Sequence, residues 1–131
     1  MPARPLSPHL SVYKMSRYTL ATSILNRFTG VALSAAFALL VYWLMSVAGG
    51  AGAQARAARL LSLPLMKLLY VACIAAFCYH LVAGIRHLVW DTGRGLERAQ
   101  SHKSAWLVVG VSIALALLVG YCALVLRGHA P

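Results

Sequence analysis

From Phe28 to Ala48 the chain carries no charged side chain, and neither does the stretch from Ala105 to Leu126. A third apolar run, from Leu65 to about Val89, is interrupted by Lys67 near its start and by His80, Arg86 and His87 further on. Crossing the hydrocarbon core of a bilayer takes about 20 apolar residues in a helix, at about 1.5 Å per residue against roughly 30 Å of lipid. Each run meets that length. Lipid offers the backbone no hydrogen bonds, so each span must satisfy its own N–H and C=O groups, and helices are the form that fits. The expected fold is therefore all-α, an integral membrane domain occupying 1–131 with three transmembrane helices at about 23–48, 64–90 and 104–127.

Composition agrees. Only 11% of residues are charged and 61% are hydrophobic, whereas a soluble domain is about 25% charged. The charge is one-sided, with 12 Lys and Arg against Asp91 and Glu97, a net +10. Nucleic-acid binders gather such charge on a polar face. Here it punctuates the apolar runs and clusters near their ends, as topology signals and contacts with anionic lipid headgroups do. Membrane lipids are thus expected partners, and nucleic acid is not. Cys73, Cys78 and Cys122 all lie inside apolar runs and form no CxxC pair, so they read as small buried hydrophobes.

The span ends carry interfacial markers. Trp43, Trp90 and Trp106, with Tyr42, Tyr70 and Tyr121, lie toward the run boundaries. Pro64 precedes the second span, where its missing N–H costs nothing, and Gly49-Gly50-Ala51-Gly52 reads as a turn. Pro2, Pro5 and Pro8 keep the start of the chain out of a helix, so residues 1–20 are expected to form an extended or amphipathic arm that packs against a partner. No removable targeting segment is visible, so the spans are expected to direct insertion. Three spans put the termini on opposite sides. Arg4, Lys14, Arg17, Arg27, Arg86, Arg94, Arg98 and Lys103 fall on the N-terminal side, against Arg56, Arg59, Lys67 and Arg127 on the other. This asymmetry places the N-terminus in the cytoplasm or the mitochondrial matrix.

Ionisable groups inside lipid cost several kcal/mol and usually face a partner, a cavity or a cofactor. In the second span His80, Gly84, His87 and Asp91 recur at i, i+4, i+7 and i+11, one narrow helical stripe. An imidazole in lipid, a glycine one turn on that lets a flat group approach, and polar groups nearer the interface are what haem binding requires. The plainer reading also fits: His80 hydrogen-bonds a neighbouring helix, while His87 and Asp91 lie at headgroup level. If haem is present, there is one, because His80 and His87 are only about 10 Å apart along a helix. His9 lies in the arm, His102 in a connection and His129 at the tail, so bis-histidine ligation needs a second chain. A second constellation opens the first span. Ser23, Asn26, Arg27 and Gly30 share a face if helical. It reads either as a helix cap followed by a snorkelling arginine, or as donors for the carbonyl oxygens of a lipid-soluble molecule.

The ordered motifs Arg4-Pro5-Leu6-Ser7-Pro8-His9-Leu10 with Tyr13, then Ser23-Ile24-x-x-Arg27-x-Thr29-Gly30, then His80-x-x-x-Gly84-x-Arg86-His87-Leu88-x-x-Asp91 resemble the family of cytochrome b556 subunits of succinate dehydrogenase. The resemblance covers the arm through the second span. It implies a membrane anchor that pairs with a second hydrophobic anchor subunit and holds an iron–sulfur subunit and a flavoprotein subunit. Succinate oxidised at the flavin then delivers electrons through the clusters to ubiquinone beside the anchor. By the same resemblance His80 is the axial ligand of haem b, the second ligand coming from the partner anchor, and His87 lies near the propionates. Ser23 and Arg27 belong to the quinone site. The family commonly has His where this chain has Asn26, which cannot become cationic, so Asn26 stays outside the expected site. Asp91 either joins a proton path or pairs with Arg86 or Arg94, and pairing is expected. The localisation implied is a bacterial inner membrane or the mitochondrial inner membrane. A fumarate reductase anchor is the close variant, with electrons running the other way. The chain alone carries no flavin or nucleotide motif and no nucleophile–base pair, so it is an enzyme only as a subunit. The competing class is a small non-redox membrane protein, a transporter or assembly subunit, with His80 and Asp91 as a proton relay.

Overall fold

The computed structural model describes residues 17–128. The N-terminal arm from Arg4 to Tyr13, His9 included, and His129 at the tail lie outside them. Four helices follow in order: α1 (Arg17–Ala48), α2 (Ala51–Leu61), α3 (Pro64–Asp91) and α4 (Arg98–Gly128). Of these, α1, α3 and α4 are long and apolar enough to cross a membrane. The all-α architecture with three spans is therefore as expected.

Three local features differ from the sequence reading. Helix α1 already includes Arg17–Leu20, assigned above to the arm, because nothing after Pro8 breaks a helix there. The turn expected over four residues is confined to Gly49 and Gly50, where Gly50 takes φ 82°, a conformation few other residues accept. Ala51 and Gly52 then begin α2. That extra helix forms because its alanine-rich sequence has high helix propensity. Eleven residues span roughly 16 Å, too short to cross lipid, and α2 seats Ala57 against the spans with 1% exposure. Finally, α4 starts at Arg98, so His102 stands in its first turns and not in a connection.

Pro64 opens α3 at a position where a helix lacks N–H partners anyway. Past Asp91 the chain turns through Gly93 and Gly95, both at positive φ, and the Trp90 indole N–H donates to the Gly95 carbonyl at 3.1 Å. Helix α3 is central and packs against both α1 and α4. Where the helices meet, buried positions are small or slender: Cys78, Ala83, Ala105 and Val108. Small residues let helices approach closely where lipid supplies no hydrophobic drive between them. Outward positions are apolar, with Val31, Leu117, Leu124 and Leu126 among the most exposed.

Ser46 and Ser112 are buried elsewhere, but most of the polar interior lies at one end. There α1 begins, α3 ends and α4 begins, and Thr22, Thr29, Tyr79 and Arg86 are all buried.

Candidate functional site

The polar groups form two layers. The deeper one surrounds His80, which stands eleven residues before the end of α3, roughly 16 Å along its axis. Its Nδ1 lies 3.1 Å from the Asn26 carbonyl and 3.2 Å from Thr29 Oγ1 on α1. The Thr29 hydroxyl lies 2.9 Å from both the Leu25 and Asn26 carbonyls, so its hydrogen is engaged within its own helix. Both neighbours of Nδ1 are thereby acceptors. Hydrogen bonding therefore places a proton on Nδ1, and Nε2 has no hydrogen-bond partner among the described residues.

The ring rests on Gly30. A Cβ at that position would lie 3.0 Å from His80 Cε1 and 3.6 Å from Nδ1. Glycine is needed here for close approach, not for backbone conformation. Gly84, one turn further along α3, has nothing within 4 Å of the place a Cβ would occupy. Asn26 Oδ1 is buried without a partner, so the surroundings of His80 retain unused hydrogen-bonding capacity.

The shallower layer is centred on Arg86, which is 8% exposed. Nε donates to Ser104 Oγ at 2.9 Å, one terminal nitrogen to Thr22 Oγ1 at 3.2 Å, and the other to the Ser101 carbonyl at 2.9 Å and Ser101 Oγ at 3.3 Å. The guanidinium also lies over the Trp90 ring, 3.9 Å from its centroid, a favourable cation–π placement. The Tyr79 hydroxyl donates to the Thr22 carbonyl at 2.8 Å. Arg86 thus joins all three spans through neutral groups. The expected pairing of Asp91 with Arg86 or Arg94 does not form: Asp91 is exposed and makes no ion pair among the described residues. The guanidinium instead turns toward α1 and α4, where hydroxyl and carbonyl groups are already buried.

The inward stripe of α3 is Tyr79, Ala83, Arg86 and Trp90, one residue out of step with His80, Gly84, His87 and Asp91. The latter stripe lies at the rim of the chain's own core: His80, Gly84 and His87 are half-buried, and Asp91 is exposed. His87 meets Trp90 edge-on, with ring centroids 5.2 Å apart. On α1, Asn26 and Gly30 face His80, while Ser23 is half-buried and Arg27 exposed beside them. Because α1 begins at Arg17, Ser23 is a helix-interior residue, which removes the capping reading. The sequence reading gave no role to Thr22, Tyr79, Ser101 or Ser104. Their signal was present, as hydroxyls within or just outside apolar runs, yet only a partner across the bundle gives such groups meaning.

Among the described residues no group of three or more His, Cys, Asp or Glu could hold a metal ion. What the chain offers at this depth is the His80 imidazole, with Nε2 without a partner among the described residues. Ligating histidines commonly donate the other ring N–H to a carbonyl, so His80 fits one axial position of a haem, and the open space beside Gly84 suits a flat ligand.

The family described as succinate dehydrogenase/fumarate reductase transmembrane subunit matches residues 1–119. The chain is 42% identical over 115 residues to the succinate dehydrogenase cytochrome b556 subunit of Paracoccus denitrificans, covering 88% of each chain. It is 40% identical to the subunit of that name from Rickettsia prowazekii, over 88% of this chain and 90% of the relative. It is 38% identical to the mitochondrial cytochrome b560 subunit of succinate dehydrogenase from Bos taurus, over 84% of this chain and 66% of the relative.

Proposed function

The chain belongs to the succinate dehydrogenase/fumarate reductase transmembrane subunit family, and from that membership we propose how its residues serve the complex. It is a multi-pass membrane anchor subunit of succinate dehydrogenase, non-catalytic on its own, in an assembly that passes electrons from succinate to quinone. This sets aside the non-redox transporter or assembly subunit. Its relatives are named as cytochrome b subunits, and haem b is the cofactor that such names imply.

His80 is the axial ligand from this chain. The observation that carries the assignment is the contact of Nδ1 with the Asn26 carbonyl at 3.1 Å, which occupies that nitrogen and leaves Nε2 for iron. Bound haem supplies a one-electron carrier in the low-dielectric interior. The second axial ligand comes from a second anchor subunit, because this chain's other described histidines, His87 and His102, stand elsewhere. His87, on the same stripe nearer the interface, donates to propionate groups.

Ser23 and Arg27 hold the quinone, with ubiquinone as substrate. They stand one turn apart on the α1 face that also carries Asn26 and Gly30. Arg27 is exposed, so its guanidinium reaches a ligand arriving from the membrane. Reduction of a quinone puts negative charge on its oxygens. A fixed cation and a hydroxyl donor stabilise that charge as it develops. The iron–sulfur and flavoprotein subunits dock at this polar end, and the Lys and Arg asymmetry puts it and the N-terminus on the cytoplasmic or matrix side.

In the purified complex, His80→Ala is expected to weaken or abolish the b-type haem spectrum, and an unchanged spectrum removes His80 as ligand. Arg27→Ala is expected to impair quinone reduction while succinate oxidation by an artificial acceptor survives. Equal loss of both activities removes the quinone role.

A further inference from the structure

Thr22 of α1 is gripped twice by α3. Its carbonyl accepts from Tyr79 Oη at 2.8 Å, and its hydroxyl accepts from an Arg86 terminal nitrogen at 3.2 Å. These are long-range bonds between spans, inside a region where Thr22, Tyr79 and Arg86 are each less than 10% exposed. Each of the three adjoins a residue of the proposed site. Thr22 precedes Ser23, Tyr79 precedes His80, and Arg86 precedes His87. The grip therefore fixes the first turns of α1, which carry Ser23 and Arg27, against the part of α3 that carries the histidines.

We infer that Arg86 and Tyr79 are positioning residues for quinone reduction: by clamping Thr22 they set the depth and rotation of Ser23 and Arg27 relative to His80. The inference rests on the quinone role given above to Ser23 and Arg27. Two observations separate it from ordinary helix packing. First, Tyr79 bonds a backbone carbonyl within a helix, which already has its own i+4 donor, so this bond adds register without being needed to satisfy α1. Second, Arg86 divides its donors. Nε and one terminal nitrogen hold α4 through Ser104 and Ser101, while the other terminal nitrogen alone reaches α1. The Ser101 bonds hold the guanidinium on α4 without Ser104, and the α1 bond alone touches the helix that carries the site. Apart from the His80 contacts with Asn26 and Thr29 deeper in the bundle, few polar features resist sliding of α1 along α3. A hydroxyl and a carbonyl held from a neighbouring helix do.

The test uses the intact complex in membranes or detergent. Thr22→Val removes the hydroxyl at constant shape, Thr22→Ser keeps it, Tyr79→Phe removes the other bond, and Ser104→Ala cuts a bond to α4 only. Each variant is assayed for succinate oxidation by an artificial acceptor, for haem content, and for the KM and kcat of quinone reduction. Thr22→Val and Tyr79→Phe are expected to raise the quinone KM by roughly three- to tenfold, the effect of about one hydrogen bond, with artificial-acceptor activity retained. Thr22→Ser is expected to match the unmodified complex, and Ser104→Ala to leave KM unchanged while lowering the melting temperature. The inference is overturned if Thr22→Val and Tyr79→Phe leave quinone KM unchanged in complexes where Ser23→Ala or Arg27→Ala raises it. It is equally overturned if Ser104→Ala raises KM as much as Thr22→Val, which makes the clamp general packing. If Ser23→Ala and Arg27→Ala are themselves silent, the underlying quinone assignment fails, and the clamp's stated role with it.

Discussion

Gly30→Ala tests the placement of His80 most directly. The added Cβ would stand 3.0 Å from His80 Cε1, 3.6 Å from Nδ1 and 3.9 Å from Nε2. Carbon–carbon contacts are optimal at about 3.5–4.0 Å, so ring and helix must separate by about 0.5 Å. Overpacking of this kind costs about 1–3 kcal/mol, and alanine returns about 1 kcal/mol of helix propensity. The net expectation is a loss of about 0–2 kcal/mol. The ligand geometry is the sharper readout. Separation lengthens the Nδ1–H···O bond to Asn26 from 3.1 Å, and a typical hydrogen bond contributes about 0.5–1.5 kcal/mol. With His80 as the proposed ligand, weakening that bond would make the imidazole a poorer electron donor to iron, which favours the reduced state. The haem potential should therefore rise, by at most roughly 20–65 mV if the whole bond is lost, at about 59 mV per tenfold for one electron. The assay is a redox titration of the b-type absorption band in the purified complex, with artificial-acceptor activity as the integrity control. A potential and band position that do not move in a fully assembled variant would refute the reasoning, because the collision with the ring is unavoidable if His80 stands where the structure puts it.

Gly84 and Gly110 make a matched pair, since a Cβ at either meets nothing within 4 Å inside the chain. Gly84→Ala should lower haem retention at least several-fold in a detergent-stripping assay, whereas Gly110→Ala should leave it unchanged, so equal behaviour would remove the flat ligand from beside Gly84. Ala57, 1% exposed where α2 meets the spans, should tolerate no enlargement. Ala57→Leu is expected to cost about 1–3 kcal/mol by overpacking, read as a lower melting temperature of the complex with haem content unaltered, and an unchanged melting temperature would place α2 away from the bundle.

The spans were legible because lipid imposes one simple requirement, an uninterrupted apolar length, and Phe28–Ala48 and Ala105–Leu126 meet it without help from tertiary structure. Helix α2 was not legible as a helix. Gly49, Gly50 and Gly52 gave a strong turn signal, and the alanine-rich segment after them has no apolar periodicity long enough to overrule it. At the site, the i, i+4, i+7 spacing singled out His80, Gly84 and His87 correctly as one stripe. Spacing within one helix cannot say which stripe faces the core, and here the inward one is Tyr79, Ala83, Arg86 and Trp90. Gly30 illustrates the same limit. It was grouped with Ser23 and Asn26 by its face, but the reason it must be glycine lies on another helix, in the imidazole of His80. Arg86 was assigned a carboxylate because a cation near Asp91 in sequence suggests one. Its actual partners are hydroxyls and carbonyls fifteen or more residues away.

That solvation of Arg86 by neutral groups leaves its positive charge uncancelled. Hydroxyl and carbonyl dipoles make the ion tolerable locally, but unlike a carboxylate they do not abolish its potential at a distance. With an effective dielectric of about 20, a unit charge about 10 Å away stabilises an added electron by about 1.7 kcal/mol. Every acceptor that comes to lie near this end of the bundle therefore sits in a standing field that draws electrons toward the membrane. Replacing one of the hydroxyls with a carboxylate would quench that field while keeping the guanidinium in place.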